Sequence, residues 1–199
     1  MKILVASTNE GKIKEIKQIL GNSEIITLND IKNTVEVIED GNTFEENAKK
    51  KAKEIYNITL VPCIADDSGI CIKKYNGWPG VKTARFLGEE KAGDTYSSER
   101  NKFVLSKMKG LEKEERQVDY ITVIAYYDGK QFKIGKGILS GYIAKETKGS
   151  NGFGFDEIFE LKDGRTLAEL NSEEKNKISS RRNKKTNNGL KHKKITKKS

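Results

Sequence analysis

The stretch LVPCIADDSGICI, residues 60–72, ends an apolar run on two adjacent carboxylates, Asp66 and Asp67, and follows them at once with Ser68 and Gly69. Such a run reads as a buried strand, and the strand ends of an open α/β sheet are where functional groups are exposed. Side chains alternate along a strand, so Asp66 and Asp67 should point to opposite faces and only one should meet a ligand directly. Asp67 beside Ser68 is the candidate for that role, with Asp66 as a supporting carboxylate.

The flanking segments supply the rest of a sheet. KILVA, residues 2–6, reads as a short buried strand that passes through Ser7, Thr8 and Asn9 into a helix with Ile13, Ile16 and Leu20 on one face and Gly21 at its end. EIITL and TVEVI are further short strand candidates. Thr43 and Glu46 form a capping-box pair ahead of a helix that carries Phe44, Ala48, Ala52 and Ile55 on one face. A loop, YNGWPGVKTARF, precedes a helix over residues 97–109. QVDYITVIAYY and QFKIGKGILSGYIA flank Asp128-Gly129, a hairpin signal. The strand EIFEL and a helix capped by Ser172 complete the order. Parallel-type and hairpin connections both occur, so the expected fold is α/β with a mixed central sheet and flanking helices.

Composition narrows the function. The chain has 199 residues and a formal charge of +9, but nine of its 38 Lys and Arg fall in residues 181–199, which hold no acid. Residues 1–180 are therefore balanced at 29 basic and 29 acidic side chains. The expected organisation is one folded domain over 1–182 and a basic Lys/Asn-rich tail over 183–199. Nucleic acid is not an expected partner of the body; weak contact through the tail is the most that charge supports. No apolar run is long enough to span a membrane and no signal peptide is recognisable, which makes the expected location cytoplasmic. Cys63 and Cys71 lack metal-site spacing and read as buried, reduced thiols. The one histidine, His192, lies in the tail, so a His base or His metal ligand in the body is excluded.

Four segments carry chemistry. STNEGK, Ser7, Thr8, Asn9, Glu10, Gly11 and Lys12, sits at a strand-to-helix junction, where unpaired N–H groups, hydroxyls and the Lys12 ammonium suit a phosphate; it lacks P-loop spacing. The acidic set Glu36, Glu39, Asp40, Glu45, Glu46, Asp66 and Asp67 offers hard oxygens suited to Mg²⁺ or Mn²⁺ held together with substrate phosphates. SNGFGFD, residues 150–156, combines two glycines with Phe153 and Phe155, either to stack a base or to pack two aromatics into the core. EEKNKISSRR, residues 173–182, places Lys175, Ser179 and Arg182 at helical spacing, with Ile178 facing the core.

Together these segments resemble the inosine triphosphate pyrophosphatase (Ham1-like) family over nearly the whole chain to about Arg182. The SxNxxKxxE pattern stands at Ser7, Asn9, Lys12 and Glu15, GxTFxENA at residues 41–48, and DDSG at residues 66–69. WPGV stands at residues 78–81 with Arg85 after it, GFGYD appears as GFGFD, and AELxxEEKNxISHR as AELNSEEKNKISSR. The resemblance implies a homodimer of two-lobed subunits and Mg²⁺-dependent hydrolysis of ITP, dITP and XTP to the monophosphate and pyrophosphate. By position it implies that Ser7, Thr8, Asn9, Glu10, Gly11 and Lys12 hold the triphosphate. Asp67 would be proton acceptor and metal ligand with Ser68 beside it, and Glu39, or alternatively Glu36, a second metal ligand. Lys175 would also contact substrate, and Phe153, Gly154, Phe155, Asp156, Ser180 and Arg181 would hold base and sugar. The rival readings are a Maf-like pyrophosphatase of other base preference, a nucleic-acid-binding protein acting through the tail, and an inactive nucleotide-binding homologue.

Two departures from the family pattern, Ser180 in place of His and Phe155 in place of Tyr, bear on base selectivity. Discrimination rests on polar groups left unpaired by the wrong base, at roughly 1–3 kcal/mol each. The expectation is weak discrimination between ITP and GTP, raised by Ser180→His; an unchanged ratio of kcat/KM values for the two substrates in that variant refutes it.

Overall fold

A computed structural model describes residues 2–21, 23–31, 37–91 and 94–181. Its elements run β1 (Lys2–Val5), α1 (Glu10–Leu20), β2 (Glu24–Thr27), α2 (Phe44–Thr59), β3 (Cys63–Ile72), β4 (Trp78–Pro79), α3 (Ser97–Lys107), β5 (Gln117–Tyr127), β6 (Phe132–Ile143), β7 (Phe159–Glu160) and α4 (Ser172–Ile178). The strands form one sheet in the order β2-β1-β3-β5-β6-β7, with β4 on β3. β1 pairs in parallel with β2 and β3, and every other pairing is antiparallel. The mixed α/β expectation is met. Part of the expected TVEVI strand, residues 34–36, lies outside the described residues, as do Glu36, Arg182 and the tail; Val37 and Ile38 belong to no strand.

β3 holds the sheet together and differs from its sequence reading in one respect. Asp66 and Asp67 are not at its end but at its middle, because the strand continues through Ser68-Gly69 to Ile72, paired with β5 from Cys63↔Tyr127 to Ile72↔Val118. The other edge behaves as a strand end would. β1 pairs only with Cys63 and Ile64, and beyond that point the edge carries no strand until β4 meets Cys71 and Ile72. Single groups fill the gap. The Lys51 ammonium donates to the Asp66 carbonyl at 3.2 Å, and Ser68 N–H donates to its neighbour Asp67 Oδ1 at 2.8 Å. Ile70 N–H donates to Thr83 Oγ1 at 3.1 Å. Gly69 is glycine because a Cβ there would sit 2.3 Å from that threonine hydroxyl.

Buried apolar clusters lie on both sides of this midpoint. Toward β1, α1 packs Ile13 and Ile16 on Ile3, Val5 and Ile64, while α2 packs Phe44, Ala48, Ala52 and Ile55 on the opposite face against Leu4, Cys63, Ala65 and Val123. Toward β7, Ile70, Ile72, Val104, Met108, Val118, Phe155, Ile158 and Phe159 form the third cluster. A fully buried Ile or Phe of this kind contributes about 1.5–3 kcal/mol. Cys63 is buried, Cys71 is half-buried, and both are free thiols; burial pushes the Cys63 thiol up to about 12. No helix among the described residues is long and apolar enough to cross a membrane.

Helix ends follow local chemistry with three corrections. Thr43 accepts from Glu46 N–H at 3.1 Å, but the Glu46 carboxylate reaches Asn42 N–H, one residue further than a closed capping box. The cap of α4 is Asn171, which accepts from both Glu173 and Glu174 N–H at 3.0 Å, and Ser172 is the first helical residue. α3 ends at Lys107, two residues short of the expectation. At the β5–β6 hairpin Asp128 Oδ1 accepts from Lys130 and Gln131 N–H, and Gly129 takes a φ of +89°.

Arg116 locks the third cluster. Its buried guanidinium donates to Ile143 O at 2.6 Å, Met108 O at 2.5 Å and Ala144 O, tying the end of α3 to β6 with no carboxylate involved. Arg116→Met removes the guanidinium donors of three carbonyls, of which Met108 O keeps the Leu111 N–H at 3.3 Å, and should lower the unfolding free energy by about 2–4 kcal/mol in urea titration. A change below about 1 kcal/mol refutes that role.

Candidate active site

The gap beside β3 opens into a cleft of about 540 Å³, lined by Ser7, Thr8, Asn9 and Lys12 on one side, Glu39, Lys51 and Ser68 at its base, and Phe153 to Phe155 on another side. A larger groove of about 830 Å³ lies between Asn42–Lys49 and Tyr75–Val81. It contains none of the phosphate-type donors of the β1–α1 loop, so chemistry assigns the smaller cleft.

The loop after β1 leads into the N-terminus of an eleven-residue helix. Asn9 caps it: Oδ1 accepts from Lys12 N–H at 2.7 Å, and Asn9 N–H donates to Ser7 Oγ at 3.2 Å. Glu10 is exposed and outside the lining, where its charge complements the helix dipole. Gly11 serves packing. A Cβ there would lie 2.2 Å from the Phe153 ring, so the absence of a side chain is what lets that aromatic rest on the first turn of α1.

The two central carboxylates face opposite ways, as alternation requires. Asp66, 1 % exposed, receives Arg181 Nη2 at 2.8 Å and lies 3.3 Å from the Lys12 ammonium. Burial pushes its carboxyl up, but Lys12, Arg181 and Lys51 outweigh burial and hold it well below the usual carboxylate range. Asp67, 6 % exposed on the α2 side, receives Asn47 Nδ2 at 2.9 Å and Ser68 N–H at 2.8 Å. Burial first, and the Glu39 charge second, push it up to about 6. Asn47 is fully buried and its Oδ1 accepts from Gly41 N–H at 2.7 Å, so one amide sets both Asp67 and the turn behind Glu39.

Glu39 pairs with Lys51 and lies 3.8 Å from Arg85 Nη1, while Arg85 also donates to the Glu39 carbonyl. Among the described residues no group of three or more Asp, Glu, His or Cys could hold a metal ion. Two carboxylates, Glu39 and Asp67, lie near enough for one charge to resist the other. That fits Mg²⁺ or Mn²⁺, which commonly take one or two carboxylates and complete their shell with phosphates and water.

Beyond Phe153 lies an inner pocket of about 20 Å³, room for about one water. An ion chain surrounds it. Glu15 accepts from Arg181 Nη1 at 2.9 Å and lies 3.3 Å from Lys175, which in turn bonds Asp156 at 2.6 Å. Burial pushes the Glu15 carboxyl up, and Arg181 and Lys175 outweigh it to hold it low; for Asp156 burial wins and the carboxyl is raised. Asp156 also accepts from Phe153 N–H at 2.7 Å, which fixes the loop. Gly152 at φ +86° permits that turn, since a Cβ would lie 2.1 Å from the same carboxylate. Lys175 sits 4.4 Å and Arg181 5.9 Å from the Phe153 ring centroid.

The two aromatics of GFGFD divide the alternatives between them. Phe153 is half-buried at the cleft, whereas Phe155, 3 % exposed, belongs to the core. Gly154 is held by Asn101 Nδ2 from α3 at 3.1 Å. Ser180 is buried and its hydroxyl is 2.8 Å from Thr122 Oγ1, so it is spent on the sheet. α4 stops at Ile178, which removes Ser179 from the expected helical row, and Ser179 Oγ donates to Glu15 at 3.2 Å. Sequence reasoning assigned no role to Lys51, Asn47 or Tyr120. The available signal was spacing: Asn47 and Lys51 are one helical turn apart, facing Asp67 and Asp66.

An anion-receptive loop, two opposed carboxylates and an aromatic-edged inner pocket define a site for a phosphorylated ring compound. The chain belongs to the Ham1 family, whose family model matches residues 3–185. It is 44% identical over 182 residues to a dITP/XTP pyrophosphatase of Bacillus subtilis, covering 89% of this chain and 90% of that one. The structure of the Staphylococcus aureus Ham1 protein superposes with a TM-score of 0.79 at 35% identity, covering 92% of this chain and 93% of that one. A dITP/XTP pyrophosphatase from Mycobacterium abscessus gives 0.72 at 36% identity, covering 91% and 95%.

A raised carboxyl has a sign in stability. With Asp67 near 6 when folded and at the ordinary aspartate value when unfolded, the folded state holds the proton longer. Stability is therefore lost as the pH rises from about 4 through 6, by up to about 3 kcal/mol. Asp67→Asn removes that loss. In chelator-treated protein, the unfolding free energy of the variant minus that of wild type should grow by about 1–3 kcal/mol between pH 4 and pH 8; a flat difference refutes the assignment.

Proposed function

We propose that this chain hydrolyses dITP, XTP and ITP to the monophosphate and pyrophosphate, removing them from the nucleotide pool. The observation that carries the reading is the junction at β3, where the phosphate-type loop, Glu39, Lys51, Ser68 and Phe153 line one cleft and Asp66 and Asp67 precede Ser68 on the strand. The names of the relatives in Bacillus subtilis and Mycobacterium abscessus support it.

In this reading the α1 N-terminus, Ser7, Thr8, Asn9, Lys12 and Lys51 bind the triphosphate and neutralise the charge that develops on the departing pyrophosphate. Glu39 and Asp67 hold Mg²⁺, for which Mn²⁺ is a chemically equivalent alternative; the ion supplies charge neutralisation on the phosphate oxygens. Asp67 accepts the proton of the attacking water. Its carboxyl, near 6 before any cation is bound, is ionised at neutral pH and so able to take that proton. Asn47 and Ser68 N–H fix its oxygens. Lys175 and Asp156 present a donor and an acceptor to the base, and Arg181 ties that pocket to Asp66. The reading carries with it the homodimer implied by the family resemblance and the cytoplasmic location expected from the sequence. A contribution of residues 183–199 to nucleic-acid binding is separate from it.

The test is pyrophosphate release from a panel of nucleoside triphosphates with Mg²⁺, using the full chain, a chain ending at Arg182, and Asp67→Asn. The expected result is turnover of dITP and XTP ahead of ATP and GTP, unchanged by removal of the tail and lowered at least about 100-fold by Asp67→Asn. Turnover of none of them sinks the reading in favour of a binding protein.

A further inference from the structure

The inner pocket carries polar atoms that the protein leaves unpaired. Tyr120, 9 % exposed, makes no side-chain hydrogen bond among the described residues and lies at the wall of the pocket, and Arg181 Nε is fully buried without a partner. Tyr120 stands on the face of β5 that meets Asp66, Ser68 and Ile70, opposite Ile70 in register and two residues from Thr122. It lines both the phosphate cleft and the inner pocket, which makes it a wall shared by the two.

An O–H at a pocket wall is open to a ligand, and a ligand that buries it without an acceptor loses about 1–3 kcal/mol. The neighbours of Tyr120 are engaged elsewhere: Thr122 is taken by Ser180, and Arg181 by Glu15, Asp66 and Ser68. Burial, and after it the charge of Asp156, push the phenol well above its ordinary value, so it remains a protonated donor at any working pH. A phenol O–H and a guanidinium N–H at one pocket are two donors awaiting acceptors. That pattern suits the oxo-bearing edge of a purine and not an amino group. The hydroxyl of Ser180 is no substitute for them, being spent on Thr122.

Resting on the function proposed above, we infer that Tyr120 is a specificity-determining residue whose hydroxyl donates a hydrogen bond to an oxo group of the purine base. Tyr120→Phe deletes that one oxygen and keeps the ring, which packs edge-on to Phe159 at 5.9 Å between centroids. The experiment measures kcat/KM of wild type and Tyr120→Phe for dITP, XTP, dATP and ITP, together with the thermal midpoint and the calorimetric Kd for inosine monophosphate. The expected result is a fall of about tenfold for dITP, XTP and ITP, carried in KM, with dATP unaltered and the ITP to dITP ratio constant. The inosine monophosphate Kd should rise by a similar factor and the thermal midpoint should not fall. Equal losses on all four substrates, no loss on any, or a changed ITP to dITP ratio, which would place the hydroxyl at the sugar, each overturn the inference. Wild-type protein inactive on every triphosphate instead overturns the proposed function.

Discussion

Two like charges side by side in the middle of a buried strand set the terms for this molecule. Moving a carboxylate out of water is expensive unless a cation or several donors replace the water. Strand alternation sends Asp66 and Asp67 to opposite faces, so different groups bond each of them. On the α1 side the solution is charge: Lys12 and Arg181 hold Asp66 ionised. On the α2 side it is two neutral donors, Asn47 and Ser68 N–H, while the nearby charge of Glu39 is repulsive. The asymmetry is the functional statement. One carboxylate is neutralised by the protein and structural, and the other is left short of positive charge where a metal-bound polyphosphate would bring it.

The cation side does more than neutralise Asp66. Arg181 also binds Glu15, and Glu15 binds Lys175, whose other partner is Asp156 under the Phe153 loop. One chain of ions therefore runs from the strand midpoint across α1 to α4 and the glycine loop. Removing a member leaves its neighbours buried and uncompensated, a loss of about 3–5 kcal/mol where a single partner is deleted. The ends of the cleft that would hold phosphate and base share these residues, so neither is built independently of the other.

Much of this was legible from spacing. The helix faces of Ile13 and Ile16 and of Phe44, Ala48, Ala52 and Ile55 follow from period 3.6, and the long β5–β6 hairpin from Asp128-Gly129. Opposite directions for Asp66 and Asp67 followed from period 2. What spacing could not convey was continuity. Ser68-Gly69 reads as a break, yet β5 supplies a partner for every residue of β3, and the break exists only on the other edge, where β1 stops. Nor could sequence decide between stacking and packing for Phe153 and Phe155, since alternation about Gly154 sends one to the cleft and the other to the core. Lys51 and Tyr120 were missed because their roles depend on which elements come to lie beside them.

The small inner pocket bears on how selectivity would arise. With room for about one water, it would admit a purine only if Phe153, seated on Gly11 with Lys175 over its ring, moved aside. A ligand that replaces the contacts given up recovers the loss; one that presents a donor where a donor already points leaves buried groups unpaired. Discrimination then lies less in the fit of a preformed slot than in whether the incoming edge can replace the contacts that opening gives up. In that respect the hydroxyl of Ser180 is bonded to Thr122, and the burden would fall on the buried, unpaired Arg181 Nε–H and on the Tyr120 hydroxyl at the wall of both cavities.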